Sequence, residues 1–134
     1  MLKVVGREQE GSLNILSIEK FPCSDLRTID TIWVRYSNRH FGFSVQKRIW
    51  ESFSGNPEFG GNPDADYENF CRFGERLGWR VNGRWLNDDD ELTFTLNAPV
   101  GHLPVYPCLG WFRRRPSSLW CISSFASRLV ECSI

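Results

Sequence analysis

Apolar positions recur along the chain at intervals of three and four, the period of a helix with one side turned to a core. The clearest such stretch is 24–37, where Leu26, Ile29, Ile32, Trp33 and Tyr36 share a face and Asp25, Arg27, Asp30 and Arg35 lie mostly opposite. Ser24 suits its N-cap, and Asp25 suits the positive end of the helix dipole. Upstream, residues 12–19 predict a short helix capped by Ser12, with Ile15, Leu16 and Ile18 on its apolar side and Phe21-Pro22 as its stop. Residues 1–9 read as the end of a helix, broken by Gly6 and Gly11. A helix over 45–53, capped by Ser44, turns Val45, Ile49, Trp50 and Phe53 inward and Gln46, Lys47, Arg48 and Glu51 to water. The stretch 54–66 is turn-rich. Asp64 or Asp66 then caps a helix to about Leu77, with Tyr67, Phe70, Cys71 and Leu77 apolar and Gly78 as its stop. Asn82-Gly83, between Trp79 and Trp85, is a two-residue hairpin signal. Residues 94–103 read as an irregular crossing, and 117–134 as a last helix with Leu119, Ile122, Phe125, Ala126, Leu129 and Val130 on one face. The pattern predicts a mainly α protein: one compact helical domain over 1–134, with room for a small β-hairpin near 79–86.

Composition narrows the function. The chain has 134 residues, enough for one buried core. Sixteen basic and sixteen acidic residues leave no formal net charge, which argues against a nucleic-acid binder or a polybasic membrane anchor. No apolar run approaches the ~18 residues of a spanning helix, and the start has no signal-peptide layout. Aromatic residues make up 14%. They form a heavily aromatic core or a platform for a flat ligand, and composition does not choose between the two. The five cysteines, Cys23, Cys71, Cys108, Cys121 and Cys132, are odd in number with no CxxC pair, so buried reduced thiols are expected. Only His40 and His102 could join them around a metal, and neither has ligand spacing.

Catalytic motifs are missing. There is no GxSxG elbow, no phosphate-binding GxxxxGK[ST] and no GxGxxG. His102 reads as a turn or packing residue rather than a base, and Asp88-Asp89-Asp90-Glu91 as a solvated acidic turn rather than a cation site. No catalytic and no metal-binding residue is assigned. Trp111-Phe112 directly before Arg113-Arg114-Arg115 is more suggestive. Apolar surface beside guanidinium forks suits a ligand with a greasy body and carboxylate edges. The competing reading is an exposed basic loop that binds nothing.

The run Phe21-Pro22-Cys23-Ser24-Asp25-Leu26-Arg27-Thr28-Ile29-Asp30, continuing through Trp33, Tyr36-Ser37-Asn38 and Phe41-Gly42-Phe43-Ser44-Val45-Gln46-Lys47-Arg48-Ile49-Trp50, resembles the genomes-uncoupled 4 family. Gly78-Trp79-Arg80, Leu96-Asn97-Ala98-Pro99 and Gly101-His102-Leu103-Pro104 extend the likeness over nearly the whole chain. The resemblance implies a helical fold shaped like a cupped hand. It implies binding of protoporphyrin IX and Mg-protoporphyrin IX without a catalytic cofactor. It also implies stimulation of magnesium chelatase through that enzyme's large porphyrin-binding subunit, in chlorophyll biosynthesis. The setting it implies is the cytoplasm or plastid stroma, with peripheral membrane contact at most. The alternative from another class is a sensor or interaction module that keeps the fold without activating the chelatase.

The same resemblance implies a porphyrin groove with Ile15 and Ile18 on one side and Trp85, Phe94 and Leu103 on the other. Trp111 and Phe112 extend it, and Arg113 and Arg114 are placed as propionate partners by their chemistry. For Ile15, Ile18 and Phe94, plain core packing competes with that role. Trp33, Trp50 and Trp79 are assigned to the core. Two departures stand out: Arg39 occupies a position where the family usually has Gly after Asn, and 105–116 matches poorly. The family's helical stretch upstream of Gly6 is mostly missing, so longer flanking sequence is expected.

Overall fold

A computed structural model describes residues 15–54, 63–86, 91–105 and 118–134, with side chains defined over 17–53, 67–86, 91–105 and 124–134. Along them run α1 (Ile15–Glu19), α2 (Cys23–Tyr36), α3 (Phe43–Ser54), α4 (Pro63–Leu77), β1 (Arg80–Val81), β2 (Arg84–Trp85) and α5 (Ser118–Glu131). The expected helix end at 1–9, the loop at 55–62, the acidic run from 88 to 90 and the Trp111–Arg115 cluster lie outside the described residues. The mainly helical fold with a small hairpin is as the pattern predicts.

Local chemistry explains most boundaries. Pro22 occupies the N-cap position of α2 in an extended conformation, and its carbonyl accepts from the N–H groups of Asp25 and Leu26, both at 3.1 Å. Ser24 is therefore not the cap; it lies inside the helix, and its carbonyl accepts from Thr28 Oγ1. Nor does Ser44 cap α3. Its N–H donates to Oδ1 of Asp30 at 2.9 Å, so the cap comes from the neighbouring helix. Gly42 permits this approach: a Cβ there would stand 2.6 Å from Val34 Cγ2 and 2.9 Å from the Asp30 carboxylate. In the turn between α2 and α3, both Asn38 and Arg39 are left-handed, at φ 52° and 64°. Asn tolerates that backbone, whereas Arg is strained in it. Asn82 and Gly83 are also left-handed, as a tight hairpin needs, and pair Arg80 with Trp85 and Val81 with Arg84.

Among the described residues, many of the aromatic side chains go into the core. Phe21, Phe43, Phe73, Trp79 and Phe125 are fully buried with Ile18, Leu26, Leu77 and Leu129. Their rings meet edge to face: Phe43–Phe125 at 5.0 Å, Trp50–Phe73 at 5.3 Å and Phe73–Trp79 at 5.8 Å between centroids. This geometry adds to area burial because ring edges are positive and faces negative. α1 lies against α5, and α3 lies against both α4 and α5. A smaller cluster of Phe41, Ala98 and Leu103, flanked by Trp33 and Val105, sits beside the main one. Gln46, expected on the wet side of α3, is fully buried; its Nε2 donates to the carbonyls of Gly101 and Pro104 at 2.8 and 2.7 Å.

The expectation of reduced thiols is corrected for two cysteines. Cys23, at the start of α2, is bonded to Cys132 beyond the end of α5, with 5.1 Å between their Cα atoms. Their separation of 109 residues leaves no spacing signal to read. Cys71 is free, while Cys108 and the Cys121 side chain lie outside the described residues. The same seam is tied by Arg27 Nε to the Cys132 carbonyl at 2.9 Å and by Arg128 Nε and Nη2 to the Phe21 carbonyl at 3.1 and 2.7 Å. Lys47 donates to the carbonyl of Ile134.

Cutting the bridge is expected to weaken the fold without abolishing it, because these hydrogen bonds hold the same seam. Reduction, or Cys23→Ser, should cost about 2–5 kcal/mol, read as a lower urea midpoint. In Cys71→Ser the response to reductant should be unchanged.

An apolar groove between α2 and the 93–98 segment

On an ideal helix at ~100° per residue, Trp33 and Ser37 lie within about 20° of Leu26, whereas Tyr36 is turned about 80° away and Ile32 about 120°. The structure follows this geometry. Leu26 and Ser37 are buried and Trp33 is half-buried, while Ile32 and Tyr36 are 51% and 83% exposed. The stripe read as one core face is two faces: a buried one, and an apolar flank open to solvent.

Opposite that flank runs the irregular 93–98 segment, which presents Phe94 and Leu96 at 67% and 58% exposure. Between the two lies a groove of about 390 Å³, walled by Ile32, Trp33 and Tyr36 on α2 and by Phe94, Thr95 and Leu96 on the segment, with Ser37 and Phe41 at its base. That volume lies within the ~300–1,000 Å³ of small-molecule sites. Four large apolar side chains converging on one concavity is the arrangement expected of an interaction site rather than of scattered surface residues.

The base is rigid for identifiable reasons. Ser37 Oγ donates to the Trp33 carbonyl at 2.6 Å and accepts from the Phe41 N–H at 2.8 Å. This holds Phe41 edge-on to Trp33, with centroids 6.1 Å apart. His40 Nε2 donates to the Ala98 carbonyl at 2.6 Å, and the Gly101 N–H donates to the His40 carbonyl at 2.8 Å. The far wall is thereby tied to the turn after α2. Every residue named in the lining is uncharged, so the described part of the groove suits a flat apolar body and offers no cationic partner for carboxylates. On the other flank of α2 a polar concavity of about 360 Å³ is lined by Asp30, Thr31, Val34, Arg35, Asn38, Arg39 and Ser44. Its Asp30 carboxylate already caps α3.

The structure sorts the expected site residues into separate places. Phe94 is on the groove. Leu103, 3% exposed, belongs to the cluster beneath it. Ile18 is fully buried in the main core and has no surface to offer a ligand. Trp85 is half-buried and stacked on Phe70 with centroids 4.4 Å apart. It lies so close over Gly74 that a Cβ there would stand 2.3 Å from its ring. The Ile15 side chain, Trp111, Phe112, Arg113 and Arg114 lie outside the described residues. Trp50 and Trp79 are core as expected, while Trp33 has one edge on the groove. Ile32, Tyr36 and Leu96 were not singled out for the site; the angular drift of the α2 stripe was the available signal for the first two.

His102 is a buried packing residue, as expected: Nδ1 donates to the Leu77 carbonyl at 2.7 Å and Nε2 accepts from the Thr93 N–H at 3.1 Å. Among the described residues no cluster of His, Cys, Asp and Glu is disposed to hold a metal ion. No helix among them is long and apolar enough to cross a membrane.

The described residues define a small, mainly helical protein with an uncharged apolar groove, and comparisons with known proteins place it more narrowly. The model of the GUN4-like family matches residues 1–119, and the chain belongs to that family. A Ycf53-like protein of Synechocystis is 35% identical over 100 residues, 75% of this chain and 37% of its own length. The chloroplastic tetrapyrrole-binding protein of Arabidopsis thaliana is 30% identical over 90 residues, 60% of this chain and 29% of its own length. The chain thus spans well under half of these curated relatives. Among solved structures, ligand-free GUN4 of Arabidopsis thaliana superposes with a TM-score of 0.60 at 25% identity, covering 92% of this chain and 77% of the other. GUN4 from Chlamydomonas reinhardtii gives 0.62 at 20% identity, over 92% and 71%, which supports the fold alone.

The division between core and groove is testable by stability. Ile18→Ala and Leu103→Ala should each cost about 2–5 kcal/mol, whereas Phe94→Ala should stay within about 0.5 kcal/mol of the parent, all from urea unfolding midpoints.

Proposed function

We propose that this chain binds a tetrapyrrole in the groove between α2 and the 93–98 segment and acts as a carrier or regulator rather than a catalyst. The single observation that carries the reading is the convergence of exposed Ile32, Tyr36, Phe94 and Leu96 on one uncharged concavity. It sits in a family that includes a relative named for tetrapyrrole binding. A porphyrin is a flat apolar disc with two propionates. Burying ~400 Å² of its surface contributes roughly 10 kcal/mol gross. Loss of ligand freedom and ordering of side chains offset on the order of 4–15 kcal/mol in binding generally. The surplus from this area alone is at most about 6 kcal/mol, a Kd no tighter than tens of micromolar, weak enough for release.

The finer reading takes protoporphyrin IX or Mg-protoporphyrin IX as ligand. Magnesium chelatase is the enzyme stimulated, through its large porphyrin-binding subunit, in the cytoplasm or plastid stroma with at most peripheral membrane contact. Since the groove's described lining is uncharged, propionates need cations from elsewhere, and the Arg113-Arg114 pair beside Trp111 and Phe112 has that chemistry. Pairing at a solvent-facing rim would orient the disc more than tighten it. Trp85, stacked on Phe70 and packed over Gly74, is not among the residues that line this groove. Leu103 acts through the small cluster beneath the groove, and Ile18 belongs to the main core.

Titration with deuteroporphyrin, following tryptophan fluorescence, is expected to show saturable quenching; absence of saturation overturns the reading. Phe94→Ala removes ~50 Å² of contact, about 1.3 kcal/mol or tenfold in Kd, and Tyr36→Ala should do the same. Arg113→Ala with Arg114→Ala should weaken a dicarboxylate porphyrin more than an analogue without carboxylates. A coupled chelatase assay separates activator from sensor: binding without stimulation leaves the regulatory module.

A further inference from the structure

The wall segment that carries Phe94 and Leu96 is fastened to the core one residue upstream, at Thr93, and the fastening is a histidine. The Thr93 N–H donates to Nε2 of His102 at 3.1 Å. The other ring nitrogen faces the Leu77 carbonyl at the end of α4. A carbonyl can only accept, so Nδ1 carries the proton and Nε2 keeps the lone pair that Thr93 uses. The rest of His102 is held equally firmly. Its carbonyl accepts from Trp79 Nε1 at 2.8 Å, its N–H donates to the Pro99 carbonyl at 3.0 Å, and the residue is 2% exposed. Gly78 closes the far side, where a Cβ would lie 3.2 Å from Nδ1 and 2.8 Å from Pro99.

We propose that His102 is a positioning residue for the groove: it latches the 93–96 wall through Nε2, and a proton added at Nε2 releases that wall and with it ligand affinity. The proposal rests on the groove reading for its second half only; the latch itself stands on the ligand-free geometry. Protonation would turn Nε2 into a donor aimed at another donor, so the bond is lost and two N–H groups oppose each other. His40 provides the contrast. Its Nε2 already donates to the Ala98 carbonyl, so a second ring proton leaves that tie in place, and the wall is released at its 93 end while held at 98.

Burial is the chief reason that His102 holds a proton less readily than an ordinary histidine, with the Leu77 carbonyl acting in the opposite sense. The sign follows. The folded pKa lies below the unfolded value near 6.5, so the contribution to stability is complete above about pH 6.5 and declines as pH falls below it. The charged groups on neighbouring elements are mutually engaged: Glu75 of α4 with Arg80 of β1, and Glu91 at the start of the wall segment with Arg84 of β2, the latter at 2.7 Å. The groups against the ring itself, the Leu77 carbonyl, the Thr93 amide and Pro99, carry no charge.

The test uses the ligand-free full chain first. Hydrogen-exchange protection of the Thr93 amide, normalised to its intrinsic rate, should fall several-fold between pH 7.5 and 5.5, toward the roughly tenfold limit of one-proton linkage. The Gly101 amide, bonded to His40, should change little. The fall should share its midpoint with the titration of the His102 ring followed by NMR. His102→Gln offers an acceptor that does not titrate, so its Thr93 protection should be flat with pH. If that variant fails to fold, the coincidence of the two wild-type midpoints decides. Constant Thr93 protection while His102 titrates, or midpoints that differ, overturns the latch. Deuteroporphyrin affinity measured over the same range should weaken along the same curve in the parent and not in His102→Gln, which also controls for the ligand's own titration. Equal weakening in both overturns the coupling to binding. Absence of binding even at pH 7.5 overturns the groove reading, and the exchange result still decides the latch.

Discussion

The structure depends on burying a stretch of chain that has no regular secondary structure. Residues 98 and 101–103 are buried, yet they form no helix or strand that could satisfy their backbone groups, and an unpaired buried amide or carbonyl costs about 1–3 kcal/mol. The helices supply the missing partners from side chains and turns. Gln46 of α3 donates to Gly101 and Pro104, Trp79 to His102, His40 to Ala98, and the Gly42 N–H to the Leu103 carbonyl at 3.0 Å. Gly101, at φ +80°, is so close to α3 and α4 that a Cβ would stand 2.6 Å from Leu77 Cδ2 and 2.9 Å from Ile49 Cδ1. The segment is thus threaded through the junction of α2, α3 and α4. Its entry, residues 93–96, emerges where it faces the open flank of α2.

This explains what was legible in the sequence. Elements defined by a local signal were found: the Asn82-Gly83 hairpin, whose turn requires left-handed residues, and helices α2 to α5, whose apolar period is long enough to dominate. What failed was assignment within them. Gln46 sits among Lys47, Arg48 and Glu51, so polarity put it on the wet side; only the crossing of an irregular segment 55 residues away gives its amide a reason to be buried. Ser24 and Ser44 are good capping residues beside helix starts. Pro22 and the Asp30 carboxylate took those roles because the chain enters α2 extended and because α2 and α3 touch through Gly42.

The candidate groove was half legible for a related reason. Of the residues expected on one, Phe94 lines a concavity while Ile18 and Leu103 are interior, because apolar character does not say which side of a wall a residue occupies. Ile32 and Tyr36 were seen as apolar and helical but assigned inward, since spacings of three and four tolerate a stripe far wider than one buried face. The Cys23–Cys132 bond had no local signature at all. Arg39 was flagged as a departure from Gly, and the structure gives it the left-handed backbone that Gly would have occupied without strain.

Four exposed apolar side chains facing one another across water would ordinarily collapse, since each Å² removed from water contributes about 25 cal/mol. Here closure is opposed by the anchors at either end of the wall: Thr93 is bonded to the buried His102 and Ala98 to His40, and α2 is held by the core behind Leu26 and Ser37. Moving Phe94 and Leu96 across the gap would require breaking bonds whose partners are buried. The apolar surface is therefore kept open in the free protein by polar ties that are not themselves part of it. A ligand entering such a groove gains the burial that the walls cannot give each other, without first ordering a loop. Its affinity then becomes sensitive to any event that loosens a tie, whether or not that event touches the ligand.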